Sequence, residues 1–376
     1  MSQNKRIKVL TFHRAHNHGS VLQAYALQSF VRNLVCEYNY GVDYHLIDLH
    51  TQFQENFYSV LKSWSNPKNI VKNIIALFYR KALCERYLAF ENFIKDEFSV
   101  TSRYYTVEEL KQNPPLADYF ITGSDQIWNV RAKDFSEAYY LPFITSGKRI
   151  SYAASFGPLK IDWNKYDKIE TSKLLSQYDA ISVRETGSAD NVETLIGARP
   201  DVHVDPTFLL TADEWRKVQS SANYNDGKYI LLYCLEPSNQ QLKWAETIGR
   251  KLGLPIVVTR FNNKNDWFNP FVHMYESGPR DFLSLIDHAS LVLSSSFHGT
   301  AFSIIYHKPF YVFNGLTDNR ISSILERTDL RDRSIETRSD VDKVAIKPVD
   351  AIKIDKFLDS ERQRSAKFLV NALELF

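Results

Sequence analysis

The sequence is short of several things, and each shortage narrows what it can be. It has three cysteines in 376 residues, Cys36, Cys84 and Cys234, odd in number and far apart. That argues against a disulfide framework and a cysteine-based zinc site, and suits a reducing compartment. No sign of charge dominates: 46 Lys and Arg stand against 44 Asp and Glu, for a net charge of +2. The basic residues are interspersed with acids, so there is no electrostatic case for a nucleic-acid partner. No apolar run is long enough to span a bilayer. Met1-Ser-Gln-Asn-Lys-Arg6 is followed by only a short apolar stretch, with no signal-type h-region or cleavage site, and a cytoplasmic chain is expected. A Gly-x-Gly-x-x-Gly fingerprint is also missing. What the chain does have is the apolar and charged content of an ordinary globule, with 24 Phe and 21 Tyr for cores and sugar-stacking surfaces. At this length two domains are expected.

A repeated grammar runs along the chain, in which apolar β-type runs stop at polar turns. Ile7 to Phe12 reads as a strand. A turn with His13, His16, Asn17, His18 and Gly19 follows, and then a helical pattern over Val21 to Phe30. Strand, Gly-bearing turn and helix form a phosphate-binding layout, which opens a Rossmann-like unit. The three histidines lack a nearby acidic or cysteine partner, so no metal is expected. Asn17 and Gly19 are read as the residues that approach a ligand. Ala117 to Thr122 is a strand ending in Gly123-Ser124-Asp125, which places Ser124 and Asp125 at a parallel sheet's carboxyl edge. Asp125 is either a site group or an ordinary cap of the turn. Lys148 to Gly157 runs into Ser155, and Ala180 to Glu185 ends in Arg184-Glu185. Arg184 has two readings: a two-pronged clamp on a carboxylate or phosphate, or a salt bridge with Glu185 or across domains.

Between the first strands lies a helical excursion, about 57–98, with Lys62, Lys68, Lys72, Arg80, Lys81 and Arg86 among apolar residues. The favoured reading is a solvated helix face over a local core. The alternative is peripheral contact with an anionic membrane at its inner face. An Asp205-Pro206 turn followed by a helix start at Thr211 marks the domain boundary.

A second α/β set follows, with strands at Tyr229 to Cys234, Ile256 to Thr259 and Pro309 to Phe313, and helices at Asn239 to Leu252 and Pro279 to Ala289. Within it, Leu291 to Ser294 is a strand that stops at three serines, and Phe297-His298-Gly299-Thr300 opens a helix. A lone histidine there is most simply a packed one. At a helix N-terminus, however, it stands beside unpaired N–H groups and can move protons near neutral pH. The expected fold is α/β, two Rossmann-like domains facing across a cleft. The N-terminal domain would be 1–208 with the excursion at 57–98, and the C-terminal domain 209–353. The helix 354–376 would pack back onto the first.

Six segments, in order, resemble the polysaccharide pyruvyl transferase family. They are Asn17-His-Gly-Ser-Val-Leu-Gln-Ala-Tyr-Ala-Leu27, Gly123-Ser-Asp-Gln-Ile-Trp-Asn129, Tyr152-Ala-Ala-Ser-Phe-Gly157, Ser182-Val-Arg-Glu185, Val204-Asp-Pro-Thr-Phe-Leu-Leu210 and Ser296-Phe-His-Gly-Thr300. The sequence departs from the pattern at His18, where the family has an aromatic. The resemblance implies a GT-B-like fold and transfer of the pyruvyl group of phosphoenolpyruvate onto two hydroxyls of a sugar, as a ketal, in a surface-polysaccharide precursor. Phosphoenolpyruvate is then a co-substrate, and no cofactor or metal is implied. The acceptor would be a sugar nucleotide or a lipid-linked glycan, held by the first domain, with phosphoenolpyruvate on the second. By the same resemblance His298 is the proton-transfer residue, Asp125 a second proton-transfer or sugar-binding group, and Arg184 the anion clamp. Arg260 and Arg280 are secondary anion contacts, or else surface residues, and Ser296, Gly299 and Thr300 are backbone or hydroxyl contacts to an anion. The alternative function is a GT-B glycosyltransferase using a nucleotide-sugar donor.

Overall fold

In the computed structural model the chain is described over residues 4–62, 67–259 and 270–376. In chain order the first elements are β1 (Asn4–Leu10), α1 (His18–Glu37), β2 (Gly41–Leu46), α2 (Gln52–Tyr58), α3 (Pro67–Phe78), α4 (Arg80–Glu97) and α5 (Val107–Gln112). There follow β3 (Tyr119–Thr122), β4 (Lys148–Ala154), α6 (Lys168–Leu175), β5 (Ala180–Val183), α7 (Thr186–Ile196) and β6 (Asp201–Val202). The second set is α8 (Ala212–Arg216), β7 (Ile230–Tyr233), α9 (Asn239–Leu252), β8 (Ile256–Val258), β9 (Val272–His273), α10 (Pro279–His288) and β10 (Leu291–Ser294). It ends with α11 (Phe297–Ile305), β11 (Phe310–Phe313), α12 (Asn319–Arg327), β12 (Ser334–Ile335), α13 (Arg338–Lys343) and α14 (Ala351–Ala372).

The chain divides into two compact units. The first holds Met1–Glu55, Ile94–Leu210 and Leu358–Phe376; the second holds Asn56–Phe93 and Thr211–Phe357. Each is built on a six-stranded sheet whose neighbouring strands all pair in parallel. Parallel strands are covered on both faces, so their sequences read as unbroken apolar runs. Every residue of β3, β7, β10 and β11 is buried accordingly. The fold is thus α/β with two Rossmann-like units, of the GT-B-like class.

Strand order locates the ligand-binding edge in each unit. In the first sheet the order is β2-β1-β3-β4-β5-β6, so the direction of winding reverses between β1 and β3. In the second the order is β12-β11-β10-β7-β8-β9, and the reversal lies between β7 and β10. At such a reversal the connections leave to opposite faces and open a crevice outside the strand carboxyl ends, where open α/β sheets bind ligands. The turns after β1 and β3, and after β7 and β10, are therefore the places to look for chemistry.

The helical excursion belongs with the second unit from Asn56 to Phe93, whereas chain continuity had placed it in the first. Packing explains this. Arg86 donates to the carbonyls of Thr259 and Ser277 at 3.1 and 2.9 Å, and the Arg280 guanidinium lies over the Phe93 ring. Gly278 lets α4 approach so closely that a Cβ there would come 2.5 Å from that of Ala89. The exposed face of α3 also differs from expectation. Asn73 and Ala76 are buried, while Ile70, Ile74, Leu77 and Phe78 face solvent. Among the described residues no helix is long and apolar enough to cross a membrane.

Candidate functional site

At the carboxyl edge of the first sheet, the turns after β3, β5 and β6 bring three carboxylates to one arginine. Arg184 Nη1 donates to Asp205 Oδ2 at 2.9 Å and lies 3.7 Å from Asp125 Oδ1, and its Nε is 3.4 Å from Glu185 Oε2. All four side chains are buried. Burial works to lower the Arg184 pKa, but the charges of Asp205, Glu185 and Asp125 outweigh it and hold the guanidinium charged, above its ordinary value. The acids are fixed in turn. Ser20 at the start of α1 donates to Asp125 Oδ2 at 2.7 Å, across the strand reversal. Ser155 donates to Glu185 Oε1 at 2.8 Å, and Ser188 donates to the same oxygen. Ser124 Oγ reaches the Ala153 carbonyl at 2.7 Å and Asp205 Oδ2 at 3.1 Å.

Of the two sequence readings of Arg184, the salt bridge is observed, with Asp205 and Glu185 sharing the guanidinium. Arg184 orders a cluster of three acids around it. Such a cluster presents acceptor oxygens, which suits hydroxyl-bearing ligands and proton acceptance. Asp134 adds a fourth carboxyl near this edge. Burial, with a further push from the charge of Asp125, raises its pKa, and nothing in the local sequence marked it.

Two cations, Arg14 after β1 and Arg103 after α4, meet beside the end of β2. Arg14 grips Asp48 with two bonds of 2.7 Å, Arg103 Nε reaches the same carboxylate at 3.2 Å, and His13 Nε2 lies 3.5 Å away. Burial pushes the Asp48 carboxyl up, but His13 and Arg14 overcome this and hold it far below the carboxylate range. One edge therefore has a basic half, by β2 and β1, and an acidic half, by β3 to β6. Arg14 was hidden in the sequence among histidines, and its partner Asp48 stands 34 residues away. Asn17 caps α1 by accepting from Gly19 N at 3.0 Å, so these two fix the turn that carries His13 and Arg14.

In the second unit the reversal point belongs to α11. Every residue from Phe297 to Ile305 is buried, and Ser296 at its N-cap position makes no side-chain cap bond. Its hydroxyl neighbour Ser294 instead accepts from Ser296 N at 2.9 Å and donates to the Tyr233 carbonyl at 2.9 Å. Gly299 is required by packing. A Cβ there would meet Ser294 Oγ at 2.3 Å and Tyr233 Cδ1 at 2.9 Å, so only glycine lets α11 settle against β10 and β7. Thr300 Oγ1 donates back to the Ser296 carbonyl at 3.0 Å, which gives it a place inside the helix. His298 is held in the first turn of α11 with 6% of its surface exposed. The arrangement is an imidazole beside a helix N-terminus whose Ser296 makes no side-chain cap bond, a position that favours anions.

The secondary arginines fare differently. Arg280 Nη1 donates to the Val218 carbonyl at 2.9 Å and its guanidinium covers Phe93, and both of these contacts are structural. Arg260 lies outside the described residues. Arg320, at the start of α12 beyond β11, pairs with Asp318 through bonds of 3.0 and 2.6 Å and is a further cation on this side of the sheet. Among the described residues no group of three or more His, Cys, Asp or Glu side chains could hold a metal ion.

Comparison with known proteins adds the following. A family model described as Polysaccharide pyruvyl transferase matches residues 17–315. No curated protein sequence matches. Among solved structures, the UDP-GlcNAc 2-epimerase from Methanocaldococcus jannaschii in complex with UDP-GlcNAc and UDP aligns with a TM-score of 0.51 at 12% identity, covering 99% of each chain. The S. aureus MnaA–UDP co-structure aligns with the same TM-score and identity, over 100% of this chain and 98% of that one. At such identities the likeness is one of fold.

Proposed function

Since the chain belongs to the polysaccharide pyruvyl transferase family, we propose that it moves the pyruvyl group of phosphoenolpyruvate onto two hydroxyls of a sugar in a surface-polysaccharide precursor. The observation that carries this reading is that the family's Gly-Ser-Asp and Phe-His-Gly segments stand at the two strand reversals, the positions where each sheet binds ligand. The second unit is assigned phosphoenolpyruvate, whose phosphate and carboxylate suit the start of α11 and the cation Arg320. The first unit is assigned the acceptor, a sugar nucleotide or lipid-linked glycan. Its acidic half takes sugar hydroxyls, and its basic half, with Arg14 and Arg103, takes the acceptor's phosphate groups.

The chemistry balances with two proton-transfer groups. His298 gives a proton to the methylene carbon of phosphoenolpyruvate while the first sugar hydroxyl adds at C2 and loses its proton to Asp125. The C2–O bond to phosphate then breaks, and the second hydroxyl adds at C2 as its proton returns to His298. The proton on Asp125 leaves with phosphate. The products are the pyruvate ketal and inorganic phosphate. Incubation of the protein with phosphoenolpyruvate and a panel of hexose-bearing acceptors tests this. Release of phosphate with a matching mass gain on one acceptor supports the proposal. Turnover that instead consumes a nucleotide sugar and releases nucleotide would replace it with glycosyl transfer.

A further inference from the structure

The least expected of the described surfaces is that of α3, which holds a row of large apolar side chains toward water. On a helix, positions i, i+4, i+7 and i+8 share a face, and in α3 that face is Ile70, Ile74, Leu77 and Phe78. Their exposures are 38, 49, 46 and 72%. Two residues beside that row, Asn73 and Ala76, are buried instead. Asn73 accepts from Lys62 N through Oδ1 and donates to the Lys62 carbonyl through Nδ2, both at 2.8 Å, and Ala76 lies beside it at 6% exposure. A helix that only covered a local core would bury Ile70 and Ile74 and show Asn73. These contacts fix the opposite orientation, so the apolar face is presented outward by design of the packing.

The charge around this face selects its occupant. From Asn56 to Cys84 there is no acidic residue, and from Asn56 to Phe93 six basic side chains stand against two acidic ones. That net charge of +4 exceeds the +2 of the whole chain, so the rest of the molecule is net negative. A second copy of the chain docking by the same face would bring like charges together. An anionic lipid surface is complementary both to Arg80 and Lys81, which are exposed just beyond the end of α3, and to the apolar row. We propose that α3 is the membrane-docking element of this protein, lying in the plane of an anionic bilayer with Ile70, Ile74, Leu77 and Phe78 in the acyl boundary and Arg80 and Lys81 at the headgroups.

Vesicle cosedimentation of the full chain tests this with phosphatidylcholine alone and with about a third of it replaced by phosphatidylglycerol. The chain should pellet with the anionic vesicles and stay in solution with the neutral ones, and high salt should weaken binding by shortening the screening length. Leu77→Asp with Phe78→Asp, and separately Arg80→Glu with Lys81→Glu, should each lower the bound fraction about tenfold or more. All four positions are exposed, so an unchanged thermal midpoint shows that the fold is kept. Failure to bind anionic vesicles, equal binding to neutral ones, or full binding by both variants overturns the proposal. So does a concentration-dependent dimer that Leu77→Asp with Phe78→Asp converts to monomer, which would make a second copy the occupant.

Discussion

Replacing Arg184 by Met keeps an unbranched side chain of similar reach and removes the charge. Asp205, Glu185 and Asp125 then remain buried at about their present positions without the cation that lies 2.9, 3.4 and 3.7 Å from them. Removing one partner of a buried ion pair costs about 3–5 kcal/mol, because the desolvation of the remaining charge is left uncompensated. The first unit is large enough that each kcal/mol moves the midpoint by about 2–4 °C, so its thermal transition should fall by roughly 6–20 °C at neutral pH. Arg184 is held charged above its ordinary value, so the wild-type guanidinium keeps its charge at any ordinary pH. In the variant, acid relieves the penalty as the orphaned carboxylates take up protons, and the gap to wild type should narrow as pH falls from 8 to about 5. Arg184→Lys should recover part of the loss, since it restores the charge without the planar fork. The assay is thermal and urea unfolding of both variants alongside phosphoenolpyruvate-dependent phosphate release. An Arg184→Met protein with an unchanged midpoint and a raised KM for phosphoenolpyruvate would refute the reasoning and return this residue to direct anion binding.

Other outcomes follow from the same geometry. His298→Gln should retain the fold, by circular dichroism and thermal midpoint, and lose about 10²–10⁴-fold in turnover; wild-type rates would remove His298 from the chemistry. Gly299→Ala should destabilise the second unit by about 1–3 kcal/mol, because the added carbon has to displace Ser294 or Tyr233; thermal unfolding reads this directly. Asp48→Asn leaves Arg14 without its carboxylate and should cost stability at neutral pH. The Asp48 carboxyl is held below its ordinary value, so the stability it contributes is complete above the unfolded pKa of about 3.9 and is lost in acid. Urea midpoints of the variant and wild type should therefore differ at pH 7 and 5 and converge well below about pH 4, and a gap independent of pH would contradict this cause.

Much of the fold could be read from the chain because parallel strands buried on both faces must be continuous apolar runs. Leu291 to Ser294 and Phe310 to Phe313 were legible for that reason, and so was the helix Asn239 to Leu252, whose capping box at Ser238 and Gly253 stop are local signals. The short edge strands β9 and β12, of two residues each, carry too little periodicity to be seen. His298 and Asp125 were visible because they follow directly on strands. Arg184 was visible too, but the gathering of two further carboxylates round it was not, since Asp125 and Asp205 come from other strand ends. Asp48, Arg103 and Asp134 gave no signal, since their partners are distant in sequence or are defined only by burial.

The sequence by itself determined which residues could sit at strand ends, where a glycine had to allow close approach, and which family the motifs belong to, because these depend on local periodicity and short-range spacing. Only the tertiary structure decided which charges meet, that one sheet edge divides into a basic and an acidic half, that the excursion from Asn56 joins the second unit, and that α3 turns Ile70, Ile74, Leu77 and Phe78 outward. Ion pairing and burial depend on distances between segments far apart along the chain, and an amphipathic pattern states that a helix has two faces without saying which one meets water.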